Sequence, residues 1–256
     1  MRVDLNCDLG EFPLDDLRCV DSGIMPYISS ANIACGGHAG DEVSMNNAIL
    51  QAQHNGVFIG AHPSYPDREG FGRRPMKMPL EELKGSIQEQ IYHLKKLTER
   101  AGAELVHVKP HGALYRDASL NEEVADVLID AVREIDDQLI FVGQCSSKFI
   151  LICETNGHRV KCEVFADRAY NSSGFLIDRQ IQGAVLDDHA EMIIRAVDMI
   201  HEQRIRDVSG KYISIKADSV CIHGDHAGAI EFAKALCNQF NSSGIEVLKT
   251  ERIKKW

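Results

Sequence analysis

Short apolar runs alternate with longer amphipathic stretches along this chain, and the alternation sets the order of its elements. Over residues 2–8, apolar Val3, Leu5 and Cys7 alternate with polar Asp4, Asn6 and Asp8, the period of two expected of a strand. Further apolar runs at 31–35, 57–61, 105–108, 139–142, 161–166 and 220–222 read as six more strands. Between them the period lengthens to that of a helix. Val43, Ala48, Ile49 and Ala52 share a face of a helix over 41–55, capped by Asp41 and stopped at Gly56. Leu83, Ile87, Ile91, Leu94 and Thr98 mark a long helix over 79–101. Ser119 and Glu122 form a capping-box pattern ahead of the stripe from Val124 to Ile135. Later helices are expected over 147–155, 188–203 and 227–241, a hairpin arm over 211–216, and a short closing strand over 245–248.

Seven strands alternating with helices predict a parallel sheet with right-handed crossovers. A closed or nearly closed seven-stranded (β/α) barrel, TIM-barrel-like in class, fits better than an open doubly wound sheet. The reason is that polar groups at the ends of strands one, two, three, four and seven can converge only if the sheet closes on itself. The length of 256 residues matches that of one such barrel, roughly 250 residues, so a single domain over 1–256 is expected.

Charge narrows the partners. A formal net charge of −10 excludes non-specific nucleic-acid binding, which needs basic surface to displace counterions. A small-molecule anion would have to be held by locally clustered Arg or Lys. No stretch approaches the roughly 18 apolar residues of a membrane helix. Asp4 stands where a signal peptide would begin its apolar region, which predicts a cytoplasmic location. The eight cysteines include no C-x-x-C pair and are read as reduced, mostly core residues.

The chemistry lies where strands end. Four runs each lead into a histidine beside Gly or Pro: His38 in CGGHAGD, His62 in AHP, His111 in KPHG and His223 in IHGD. In a parallel α/β protein, side chains at the carboxyl ends of strands build the site. Lys109, at an apolar strand end, is costly unless it meets an anion. Arg73 and Arg74, in a long loop after His62, suit carboxylate or phosphate recognition. Gathered on one face, the candidates are Asn6, Asp8, Glu11, His38, Asp41, His62, Lys109, His111, Asp167, Arg168, His223 and Asp225. Such groups suit general acid–base catalysis and oxyanion stabilisation. Asp with His also leaves a metal reading open, but no helical H-E-x-x-H spacing is present and no protein-bound metal is assigned. The common phosphate-cradling loops, G-x-x-x-x-G-K-[ST] and strand-to-helix G-x-G-x-x-G, are absent.

The segments DLNCDLGE, SSANIACGGHAGD, IGAHPSYPDREGFGR, HVKPHGALY, EVFADRAY with the following Arg179, and VCIHGD resemble the LamB/YcsF family, the A subunits of bacterial ATP-dependent 5-oxoprolinase. The resemblance implies a barrel related to glycoside hydrolases and carbohydrate deacetylases. It also implies cleavage of 5-oxoproline to L-glutamate coupled to hydrolysis of ATP, supplied as its Mg complex, in company with separate subunits B and C. On that reading Asp8 or His38 serves as general base, Lys109 and His111 stabilise the oxyanion or phosphoryl oxygens, and Arg73 or Arg168 holds the substrate carboxylate. A stand-alone metal-dependent deacetylase or amidohydrolase, and a non-catalytic substrate-binding subunit, are the alternatives.

Overall fold

The structure, a computed structural model, describes residues 1–224 and 228–249. Its frame is a parallel sheet of β1 (Arg2–Leu9), β2 (Ser30–Ala34), β3 (Phe58–His62), β4 (Leu105–Val108), β5 (Ile140–Gln144), β6 (Val160–Phe165) and, after an antiparallel hairpin of β7 (Arg204–Arg206) and β8 (Tyr212–Ser214), β9 (Ser219–Ile222). β6 pairs with β9 and β9 pairs with β1, with Leu5 opposite Val220, so these seven strands close into a barrel. A last strand, β10 (Glu246–Val247), adds to the start of β1. The expected barrel, the hairpin and the closing strand are all present.

The helices cover the outside. α1 (Asp21–Ile24) precedes β2, and α2 (Glu42–Asn55) starts behind Asp41, whose carboxylate accepts hydrogen bonds from the Val43 and Ser44 backbone amides. Gly56 ends α2 in the left-handed conformation, as a glycine stop should. α3 (Leu80–Arg100) packs its Leu83, Ile87, Ile91 and Leu94 stripe inward. The capping box at Ser119 is corrected by the structure. An additional helix, α4 (Gly112–Leu120), runs through Ser119, whose hydroxyl bonds back to the Tyr115 carbonyl. Asn121 instead caps α5 (Glu122–Arg133). A capping pattern is local and cannot show that the preceding residues are already helical. α6 (Lys148–Thr155), α7 (His189–Glu202) and α8 (Ala229–Ser242) complete the layer. No helix among the described residues is long and apolar enough to cross a membrane.

The barrel interior is polar along one column. Asp4, Asn6 and Asp8 point inward from β1, while Val3, Leu5 and Cys7 pack outward against the helices. Gly60 on β3 leaves room for His107, because a methyl group at Gly60 would stand 2.0 Å from His107 Nε2. His107 Nε2 in turn bonds Asn32 Oδ1 at 2.8 Å. At the closed end, Asp4 accepts hydrogen bonds from the hydroxyls of Ser29 (2.7 Å), Ser30 (2.5 Å) and Ser219 (2.5 Å), with Lys161 Nζ at 3.5 Å. Burial pushes the Asp4 carboxyl up, but Lys161 and the three hydroxyls outweigh it and bring it down to about 2.

A folded-state value below the ordinary 3.8 means that Asp4 contributes stability above that pH and loses it as pH falls towards 2. Replacing Asp4→Asn is expected to lower the unfolding free energy at pH 7 by about 3 kcal/mol, as for breaking a buried pair. Urea unfolding at pH 7 and pH 3 would show this loss together with a flatter acid limb in the variant.

Candidate active site

Four strands deliver their carboxyl-terminal residues to the open end of the barrel around Lys109. Its ammonium lies 2.7 Å from Glu163 Oε1, 3.0 Å from Asp8 Oδ1, 3.1 Å from Asn6 Oδ1 and 3.1 Å from Cys221 Sγ. Glu163 and Cys221 reach it from β6 and β9, and Lys109 itself follows β4. Burial alone would drive the lysine towards neutrality, but Asp8, Cys221 and Glu163 outweigh it and hold the ammonium charged. Asp8 is likewise pulled well below the carboxylate range, its burial overcome by His62 and Lys109. Each therefore keeps its charge through the neutral range.

Beside this centre three histidines meet. His38, in the loop between β2 and α2, stacks on His111 with ring centroids 3.7 Å apart and planes 7° from parallel. His62, the last residue of β3, meets His111 edge-on, its Nε2 3.0 Å from His111 Nδ1 and 3.2 Å from Asp8 Oδ2. The remaining ring nitrogens are anchored: His62 Nδ1 donates to the Lys109 carbonyl (2.7 Å) and His111 Nε2 to the Phe71 carbonyl (2.9 Å). Glu11, just past β1, puts Oε1 3.2 Å from His38 Nε2 and 3.8 Å from His111 Nδ1. Burial, reinforced by the neighbouring histidines, keeps His38 and His111 well below the ordinary imidazole range. Glu11, His38, His62 and His111 bring ligating atoms to within 4.8 Å of one another.

The loop after His62 covers this cluster. Its Gly72 carbonyl accepts from the Ala113 amide, and a methyl group on Gly112 would stand 2.5 Å from that oxygen, so only glycine lets α4 and the loop approach. Phe71 presents its ring edge-on to His38 and His111 and stacks with Phe12 at 5.9 Å. Arg68 ties the loop to the Gly36 and Gly40 carbonyls. Asp67 pairs with Arg74, while Arg73 sits exposed at the rim with its guanidinium 5.1 Å from the Phe71 ring.

Across the mouth, His223 Nδ1 lies 2.7 Å from Asp167 Oδ2, and His223 and Cys221 each bring a ligating atom within 4.8 Å of one on Asp8. Burial lowers the His223 pKa, but Asp167 outweighs it and raises it above the ordinary imidazole value.

Asn6, Asp8, Glu11, His38, His62, Lys109 and His111 are thus one contact network, with Asp167 and His223 at its edge. Two expected members are engaged elsewhere. The Asp41 carboxylate is occupied by the α2 cap. Arg168 donates to the Ile177 and Ala184 carbonyls, which makes it a brace for the loop after β6. Asp225 lies outside the described residues. Glu163, Cys221, Asn32 and His107 join the network without standing among the strand-end candidates. Alternation in KCEVF, with Lys161, Glu163 and Phe165 of one parity, was the available signal for Glu163. A cavity of about 410 Å³ between Met76, Met78, Leu83 and Val124 lies outside the barrel and contains none of these residues.

Comparison with known proteins places the chain among relatives. The LamB/YcsF family model matches residues 3–255. The chain is 44% identical over 255 residues to the A subunit of 5-oxoprolinase from Alkaliphilus metalliredigens, covering 99% of each. Its structure is similar to the crystal structure of a lactam utilization protein from Thermus thermophilus, with a TM-score of 0.89 at 37% identity over 97% of this chain and 100% of that one. A family 4 carbohydrate esterase from Streptomyces lividans shares the fold, with a TM-score of 0.53 at 10% identity over 96% of this chain and 91% of that one.

The Asp167–His223 pair yields a measurable expectation. With its folded pKa raised, His223 contributes stability that is complete below the unfolded value near 6.5 and lost as pH rises through the folded one. An NMR pH titration should find His223 protonated above the ordinary range, and Asp167→Asn should shift it downward by about one unit or more.

Proposed function

The chain belongs to the LamB/YcsF family, and we propose that it acts as the A subunit of an ATP-dependent 5-oxoprolinase, opening the lactam of 5-oxoproline to L-glutamate together with subunits B and C. The observation that carries this reading is the strand-end network of Asp8, Glu11, His38, His62, Lys109 and His111, in a chain similar over nearly its full length to relatives named as A subunits of 5-oxoprolinase.

The chemistry that such a reaction needs fits these groups. A five-membered lactam is a stabilised amide. Transfer of the ATP γ-phosphoryl group, with ATP as its Mg complex, to the lactam oxygen makes the ring carbon electrophilic. Water adds to that carbon, the C–N bond breaks with nitrogen leaving as the amine, and a second water releases phosphate to leave the carboxylate.

In this proposal the acid and the base stand on opposite sides of the mouth. His38 takes a proton from water: its Nε2 faces Glu11, and its Nδ1 is buried without a hydrogen-bond partner among the described residues. His223, kept protonated by Asp167, gives a proton to the departing nitrogen. Asp8 is tied to Lys109 and His62, so it serves as fixed negative charge and not as the base. Lys109 favours negative charge developing on oxygen; His111, kept neutral and with its N–H given to the Phe71 carbonyl, does not share that task. Arg73, at the rim, receives the substrate carboxylate, a task for which Arg168 is already spent on backbone carbonyls. The cleft reaching Asp8 and Glu11 is about 10 Å³, lined by Phe12, Arg18 and Val20.

Glutamate release from 5-oxoproline and ATP is expected only when this chain is mixed with subunits B and C. In that mixture Asp167→Asn should lower kcat by roughly 10²-fold or more, and Arg73→Ala should raise KM with a smaller effect on kcat. Full activity of subunits B and C without this chain, or an unchanged rate in the Asp167 variant, would remove the assignment.

A further inference from the structure

The two anchored histidines pose a problem that hydrogen bonding alone does not solve. A backbone carbonyl only accepts hydrogen bonds, so His62 must carry a hydrogen on Nδ1 towards the Lys109 oxygen, and His111 one on Nε2 towards the Phe71 oxygen. In neutral rings the other nitrogens, His62 Nε2 and His111 Nδ1, are then both lone pairs. They face each other at 3.0 Å. Two lone pairs at that distance repel unless a cation lies between them.

Carboxylates flank the same gap. Asp8 Oδ2 is 3.2 Å from His62 Nε2 on one side, and Glu11 Oε1 is 3.8 Å from His111 Nδ1 on the other. A tetrahedral ion with bonds of about 2.0–2.1 Å holds its ligand atoms about 3.4 Å apart, and the observed spacings bracket that figure. Histidines that ligate metals commonly donate their second nitrogen to a backbone carbonyl, which fixes the tautomer and aims the lone pair. Both His62 and His111 do so. We propose that Glu11, His62 and His111 bind one first-row divalent transition-metal ion, with imidazole and carboxylate donors of the kind that suit zinc.

His38 supports this centre without ligating it. A metal bound through a lone pair lies in the plane of the imidazole, and the His38 and His111 planes are stacked 3.7 Å apart and nearly parallel. An ion in the plane of His111 is therefore out of the plane of His38. The latter instead holds Glu11 by its Nε2 contact of 3.2 Å. Asp8 lies beside the ion as negative charge already shared with Lys109. A proton held between His62 and His111 would also relieve the repulsion, but it makes no use of the third donor, Glu11. This assignment does not depend on which amide the site opens.

The test uses the full chain, purified without a histidine tag or chelator, and requires neither substrate nor partner subunits. Elemental analysis should find about one equivalent of a first-row divalent metal. Metal-stripped protein should take up about one equivalent of Zn²⁺ in competition with a chromophoric chelator. Glu11→Gln and His111→Gln should each weaken Zn²⁺ binding by more than about 100-fold, and His38→Gln by about 10-fold. Near-UV circular dichroism checks folding. Glu11 is only partly buried in a loop, so its variant decides the matter if that of His111 fails to fold. Absence of Zn²⁺ uptake by the folded wild-type chain, or uptake unchanged in Glu11→Gln, overturns the proposal. In the first case, ¹⁵N NMR shifts of a shared His62–His111 proton would identify the cation as a proton.

Discussion

A lysine can be kept charged inside a barrel only if carboxylates are brought to it, and the open end of this fold is arranged around that requirement. Lys109 is 2% exposed and touches Asp8, Glu163, Asn6 and Cys221. Those partners come from β1, β6 and β9, strands brought together by the closure of β9 onto β1. Removing either carboxylate would leave an incompletely compensated charge in a low-dielectric interior, where such charges cost several kcal/mol. Barrel closure and the charge state of the site are therefore one constraint.

From Lys109 the constraint passes outward through the backbone. Its carbonyl fixes the tautomer of His62, and the Phe71 carbonyl fixes that of His111. The second of these depends on a loop that can lie close to α4 because Gly72 and Gly112 carry no side chain. The histidine cluster is thus held by main-chain groups, whose positions the sheet and the loop dictate. Across the mouth, Asp167 and His223 form a separate pair of opposite tendency: one side keeps histidines neutral by burial, the other keeps one protonated beside a carboxylate. Groups pushed apart in this way from the same chemistry are what acid–base catalysis requires.

Much was legible in the residues themselves. Alternation along 2–8 announced inward-facing Asp4, Asn6 and Asp8, and the seven apolar runs interleaved with helical stripes gave the barrel. Histidines at strand ends pointed to its carboxyl-terminal face, because chain direction alone sends every strand end of a parallel sheet to the same side. Strong local signals with few competing readings, such as the Asp41 cap and the Gly56 stop, reappear in the structure.

What sequence could not decide was the use to which each polar group is put once neighbours from distant strands arrive. Arg168 reads as a substrate ligand beside Asp167, yet two carbonyls of its own loop occupy it. Asp8 and His38 both read as candidate bases, and only the fold ties Asp8 to Lys109, 101 residues away, and to His62. Glu163 shares its strand parity with Lys161 and Phe165, but only the closed barrel sets its carboxylate 2.7 Å from the Lys109 ammonium. Periodicity and turn chemistry are local, so the chain determined its elements, their order and the face that carries the chemistry. Partner choice, tautomer and charge depend on distances between strands that only the closed barrel defines, so the tertiary structure alone decided them.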